Sequence, residues 1–146
     1  MIAITNRVRT GRKIDLRLLE KIAAAALEEL EIENPELGIV LIGAKEMVLM
    51  NEKFLGHEGP TDVITFDYSE KRKQLHGEVF VCVEVAQKQA KEFGTSRQSE
   101  MVRYIVHGIL HLMGHDDLQV VARKKMKREE GRLVRELSRR FALSKL

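Results

Sequence analysis

Three of the chain's five histidines stand within nine residues, in the run His107-Gly108-Ile109-Leu110-His111-Leu112-Met113-Gly114-His115-Asp116-Asp117. His107 and His111 are four apart, so on a helix they share one face and can grip one metal ion from adjacent turns. His115 repeats the step, but in an unbroken helix it would sit about 12 Å along the axis from His107. Bonds to zinc are only about 2 Å long, so one ion cannot be reached from both ends of such a row. The chain must turn first, and Gly114 is the residue that tolerates the left-handed conformation ending a helix. Beyond the turn, His115, Asp116 and Asp117 are the candidates for a third ligand. Spacing favours Asp117, because metzincin proteases place two histidines, a glycine and a third histidine at the positions of His107, His111, Gly114 and Asp117. His115 is the fallback. The competing reading makes these residues helix caps or hydrogen-bonded core histidines. Three protein ligands leave a fourth position open, the pattern of a catalytic and not a structural site. Zinc proteases of the His-Glu-x-x-His type carry their general base directly after the first histidine. Here that position is Gly108, which argues against peptide hydrolysis.

The elements that must carry this run are legible from periodicity. Ile2-Ala3-Ile4-Thr5 reads as a short strand, followed by a basic loop with Arg7, Arg9, Arg12 and Lys13. Asp15 is a plausible N-cap for a helix whose Leu18, Leu19, Ile22, Ala25, Ala26 and Leu30 recur at helical steps. Ile39 to Ile42 reads as a buried strand and Ala44 to Leu55 as a helix with Met47, Met50 and Phe54 on its apolar stripe. Gly56 to Pro60 reads as a loop. Val63 to Phe66 and Glu78 to Val83 read as two strands of a hairpin joined by the polar turn Ser69 to Gln74. Glu84 to Phe93 is expected to be a helix ended by Gly94. Ser96 or Ser99 would cap the next, with Met101, Tyr104, Ile105 and Ile109 inward. A last helix is expected from about Leu118 to Leu143, with Leu118, Ala122, Met126, Leu133, Leu137 and Phe141 on its apolar face. Early strands and late helices predict an α+β fold in which helices pack on a small mixed sheet, carrying a single zincin-like metal site.

Composition sets the frame. The 146 residues predict one domain, residues 1–146, with an ordinary globular balance of 44% hydrophobic and 32% charged residues. The single cysteine, Cys82, excludes an internal disulfide and a multi-cysteine zinc cluster. It reads as an inert core thiol. No apolar run reaches the roughly 18 residues of a membrane span. The N-terminal basic residues follow a short apolar stretch, the wrong order for a secretory signal, so a cytoplasmic location is expected. The net charge of +3 is unevenly spread. From Val120 to Leu146 there are ten Lys/Arg against three acids, which suits either a solvated helix face or a polyanion partner.

On these residues the chain resembles the YbeY family of bacterial rRNA maturation factors. The run from His107 to Asp117 is similar to the family signature. Asn51, Gly56, Pro60 and Thr61-Asp62-Val63-Ile64-Thr65-Phe66 are similar to a second block, and Gly77-Glu78-Val79-Phe80-Val81 to the strand that follows. The resemblance implies one zinc ion per chain and a metal-dependent endoribonuclease. It implies a single-strand-specific role in 3′-end maturation of small-subunit (16S) rRNA and in ribosome quality control. By position, the metal ligands carry over to His107, His111 and residue 117, where the family has His and this chain has Asp. A carboxylate oxygen is an acceptable zinc ligand. The family also leads one to expect Arg four residues after the Asn, and here that residue is Leu55. His57, Arg7, Arg9 or another basic residue could replace it.

The resemblance gives the basic C-terminal segment a role. Arg123, Lys124, Lys127 and Arg128 are candidate RNA-binding residues, holding phosphates without reading sequence. Asp62 is a candidate to orient a histidine or a water, or else a turn residue at the head of a strand. His76 reads as an exposed loop residue. The expected partners are rRNA and the small ribosomal subunit, with neither DNA nor membrane. The alternatives are a non-catalytic metal-binding ribosome-assembly factor, toward which Leu55 and Asp117 push, and a metallopeptidase, which Gly108 opposes.

Overall fold

A computed structural model describes residues 1–56, 59, 61–70 and 74–146; His57, Pro60 and positions 71–73 of the polar turn lie outside the described residues. The strands are β1 (Ile2–Asn6), β2 (Glu36–Ile42), β3 (Val63–Asp67) and β4 (His76–Cys82). The helices are α1 (Leu16–Glu29), α2 (Ala44–Met50), α3 (Val83–Phe93), α4 (Arg97–Leu112) and α5 (Val120–Arg140). A π-helical turn, Asn51–Leu55, follows α2. The sheet order is β1-β2-β4-β3, with β1, β2 and β4 parallel and β3 antiparallel to β4. The fold is therefore α+β on a mixed sheet, as expected.

Alternation of side chains along β2 and β4 separates two cores. Ile39, Leu41, Val79 and Val81 join α1, α4 and α5 on one face. Val40, Ile42, Phe80 and Cys82 join Met47 on the other. Cys82 is buried, and burial raises its thiol pKa, so it is the inert core residue the sequence suggests.

The local signals were largely sound. Asp15 caps α1 by accepting from Leu18 N–H, and Ser96, not Ser99, caps α4 by accepting from Ser99 N–H. Several details differ. The expected helix Ala44–Leu55 changes to a π-helical turn at Asn51, which rotates Phe54 out of the core to 52% exposure. Its ring packs edge-on against Phe66. The last helix starts at Val120 and not at Leu118, which is 84% exposed. It ends at Arg140, with a separate 3₁₀ turn at Leu143–Lys145. His76 is exposed, but it opens β4 and does not lie in a loop.

One contact decides how the metal run meets the sheet. A Cβ built on Gly108 would lie 2.7 and 2.9 Å from the two Val79 methyls and 3.2 Å from the Thr65 methyl. Helix α4 thus lies directly on β3 and β4, and position 108 faces the sheet with no room for a side chain. A protease-type glutamate could not stand there. Gly108→Glu is expected to destabilise the protein by at least about 4 kcal/mol, through overpacking and a buried charge. Thermal unfolding should show a drop of more than about 8 °C for a chain of this size.

Candidate metal centre

His107 and His111 occupy adjacent turns of α4, with ring centroids 4.7 Å apart. The helix then ends as the sequence requires. Gly114 adopts φ 98°, its N–H donates to His111 O, and His115 N–H donates to Leu110 O. These two bonds form a Schellman closure that turns the chain back. Asp116 Oδ1 accepts from Leu118 N–H and tightens the following turn.

That return places Asp117 beside the histidines. Its Oδ2 lies 3.5 Å from His111 Nε2 and 4.0 Å from His107 Nε2. One ligand atom from each of the three residues falls within a 4.8 Å group. Ligand atoms around a tetrahedral ion with bonds of about 2 Å are roughly 3.3 Å apart, so a small inward adjustment suffices. Two imidazoles and a carboxylate are a recognised catalytic donor set, and the cluster can hold a metal ion. His115 points elsewhere: it lines a separate depression with Met113, Ala122 and Lys125. Among the described residues, neither His115 nor Asp116 joins the cluster.

The cluster opens into a cleft of about 290 Å³ walled by Leu55 and by Thr61 to Thr65. Asp62 belongs to that wall and also serves the turn, since its Oδ1 accepts from Val63 N–H at 2.8 Å. The turn reading of Asp62 is thus met, and its carboxylate stands on the cleft wall without a hydrogen bond to a histidine among the described residues. Asn51 is buried, and its amide donates to Gly59 O at 2.7 Å. Leu55 puts an apolar side chain where the resemblance leads one to expect a guanidinium. Arg7 does not replace it: it pairs with Glu46 and lies over the Phe80 ring. Arg9 is exposed and does not line the cleft, and His57 lies outside the described residues. Arg123, Lys124, Lys127 and Arg128 are all exposed on α5.

The structure adds a residue that sequence reasoning passed over. Glu130, on α5, is buried and accepts from His107 Nδ1 at 2.9 Å and from Arg103 Nη1 at 3.2 Å. Its place was signalled in the sequence. Between Met126 and Leu133 the apolar stripe skips a turn, and Glu130 fills the gap. Burial opposes ionisation of Glu130, but the His107 hydrogen bond and charge, with Arg103, outweigh it and hold the carboxyl below its ordinary range. Burial likewise opposes the charged form of His107, but the bond to Glu130, aided by Asp62 and Asp117, raises its pKa. Protons therefore compete for this imidazole at higher pH than for a free one. Glu130 fixes the ring with Nδ1 toward itself and leaves Nε2 for an ion, as acids behind metal-bound histidines do. Glu130→Ala is expected to lower zinc affinity by about 10- to 100-fold in a competitive chelator titration. Glu130→Gln, which keeps an acceptor, should recover much of the loss.

The chain also matches known proteins over most of its length. The sequence profile described as Endoribonuclease YbeY matches residues 3–138. A protein named Endoribonuclease YbeY from Elusimicrobium minutum is 36% identical over 115 residues, spanning 76% of this chain and 80% of its own. Another of that name from Persephonella marina is 33% identical over 117 residues, spanning 77% and 76%. The solution structure of a Thermotoga maritima protein superimposes with a TM-score of 0.68 at 30% identity, covering 94% of this chain and 89% of that one. A helix-borne histidine pair, a left-handed glycine turn and a returning carboxylate thus sit within the matched span, and the chain belongs to the YbeY endoribonuclease family.

Proposed function

We propose that this chain, with residues 1–146 acting as one domain, is a single-strand-specific, metal-dependent endoribonuclease. Its task is 3′-end maturation of small-subunit (16S) rRNA and ribosome quality control in the cytoplasm. The observation that carries this reading is the convergence of His107, His111 and Asp117 at the floor of an open cleft in a chain of this family. Its ion is one zinc per chain. When bound, zinc supplies Lewis acidity toward a phosphate oxygen and toward water. Glu130 holds the His107 ring in register, and Asp62 offers a carboxylate across the cleft to orient or accept a proton. Arg123, Lys124, Lys127 and Arg128 hold strand phosphates. Helical spacing puts Arg123 and Lys127 in the row that leads to Glu130. No described helix is long and apolar enough to cross a membrane.

A second reading is favoured by one observation. No Lys or Arg appears among the described residues lining the metal cleft, where Leu55 stands. A phosphorane-like transition state would lack a guanidinium there. The chain would then be a non-catalytic, metal-binding ribosome-assembly factor. A metallopeptidase is disfavoured by the packing at Gly108.

Metal analysis after zinc-replete purification is expected to give one ion per wild-type chain and well under half in His107→Ala and His111→Ala. In cleavage assays on single-stranded rRNA fragments, His111→Ala should lose at least about 100-fold in rate. Equal cleavage by wild type and variant would remove the nuclease reading. Zinc binding without cleavage would favour the assembly factor.

A further inference from the structure

The metal cleft has a neighbour. A second cavity of about 340 Å³ lies against it, and Asp62 and His107 line both. Its other walls include Gln89 and Phe93 on α3, Glu100, Arg103 and Tyr104 on α4, and Glu130 on α5. Three of these groups are left with unused capacity. The Phe93 ring is 66% exposed at the end of its helix, so it has no core role. Glu100 is only 5% exposed, yet Thr95 Oγ1, at 2.7 Å, is its one side-chain donor among the described residues. Its second carboxylate oxygen takes no hydrogen bond from the described residues and is open to solvent. The Gln89 amide oxygen accepts from the Tyr104 hydroxyl, which leaves its NH₂ as a donor.

Resting on the endoribonuclease reading above, we propose that this cavity is a subsite for one unstacked nucleobase beside the scissile phosphate, selecting an amino-bearing base over uracil. The volume lies at the small end of ligand pockets and suits one nucleotide, not a duplex. Proteins read single-stranded RNA by stacking splayed bases on aromatic rings and hydrogen-bonding their edges. Phe93 supplies the ring. Glu100 accepts from an exocyclic amino group, as carboxylates do from cytosine N4, and the Gln89 NH₂ donates to the adjacent ring nitrogen. In the same register uracil would set its O4 against the Glu100 carboxylate and its N3–H against the Gln89 NH₂, so both contacts would be mismatched. An acceptor covered by the base but left without its partner is what makes such rejection effective. Arg103, the one Lys or Arg on these walls among the described residues, pairs there with Glu130 through Nη1 and keeps its other guanidinium donors for that nucleotide.

The test uses the zinc-loaded full chain and fluorescein-labelled heptamers. One is all uridine, and the others carry a single cytidine at each position in turn. The readout is the ratio of dissociation constants from anisotropy, or of KM where the strand is being cut. Wild type is expected to favour cytidine at one register by about tenfold. Glu100→Gln should bring that ratio to about one. Phe93→Ala, at an exposed position that folding does not need, should weaken both strands by about tenfold and keep the ratio. A wild type that does not distinguish the strands at any register overturns the subsite, and so does a preference that survives Glu100→Gln. Cleavage without base preference removes the subsite and leaves the nuclease. Base preference without cleavage does the reverse.

Discussion

The centre depends on how closely one helix lies on the sheet. With no side chain at position 108, α4 rests on Val79 and Thr65 at backbone distance. That approach sets the depth at which His107 and His111, on the neighbouring flank of the helix, meet the wall from Thr61 to Thr65. Any side chain at 108 would lift the helix, and the imidazoles would rise away from Asp62 with it. The same packing denies the site a carboxylate at the position from which zinc proteases take their base. One steric fact therefore sets where the histidines meet the cleft and leaves no room at position 108 for a protease-type base.

Glu130 is the second constraint, and it is electrostatic. A carboxylate with 12% of its side chain exposed is costly unless charged donors meet it. His107 and Arg103 both do, from successive turns of α4. One acid thereby aligns a candidate metal ligand and the cation of the adjoining cavity, and it fastens α5 to α4 at the height of the cluster. The basic α5 is thus tied to the site through a buried contact, although most of its charge faces solvent.

The fold and the cluster were legible to different depths. Asp15, Ser96 and Gly114 acted through local hydrogen bonds and backbone sterics, which sequence carries directly. The turn after His111 was demanded by ligand reach alone, and Asp117 and not His115 meets the histidines because the Schellman closure fixes the direction of return. The structure departs from simple periodicity where a side-chain turn, a change of helical register or a long-range partner decides. Leu118 looked apolar and periodic, but the turn held by Asp116 keeps it outside the helix. Phe54 lost its place when a π-helical turn added a residue to the register. Glu130 was hidden because its partners lie 23 and 27 positions away, and only the gap in the stripe pointed to it.

Charge bookkeeping at the cleft gives the remaining step. Two neutral imidazoles and one carboxylate leave a bound divalent ion with a net charge of about one, where three imidazoles would leave two. Asp62 lowers the local potential further, and Leu55 adds no cation. Such a site polarises what reaches it but attracts a polyanion weakly on its own. Attraction must then come from elsewhere on the molecule, and α5 carries the surplus of positive charge. Long-range steering by that helix falls off with salt over roughly 8–10 Å, whereas chemistry at the ion does not. If α5 holds the strand as proposed, capture and cleavage would respond differently to ionic strength, since they would fall to different elements of the fold.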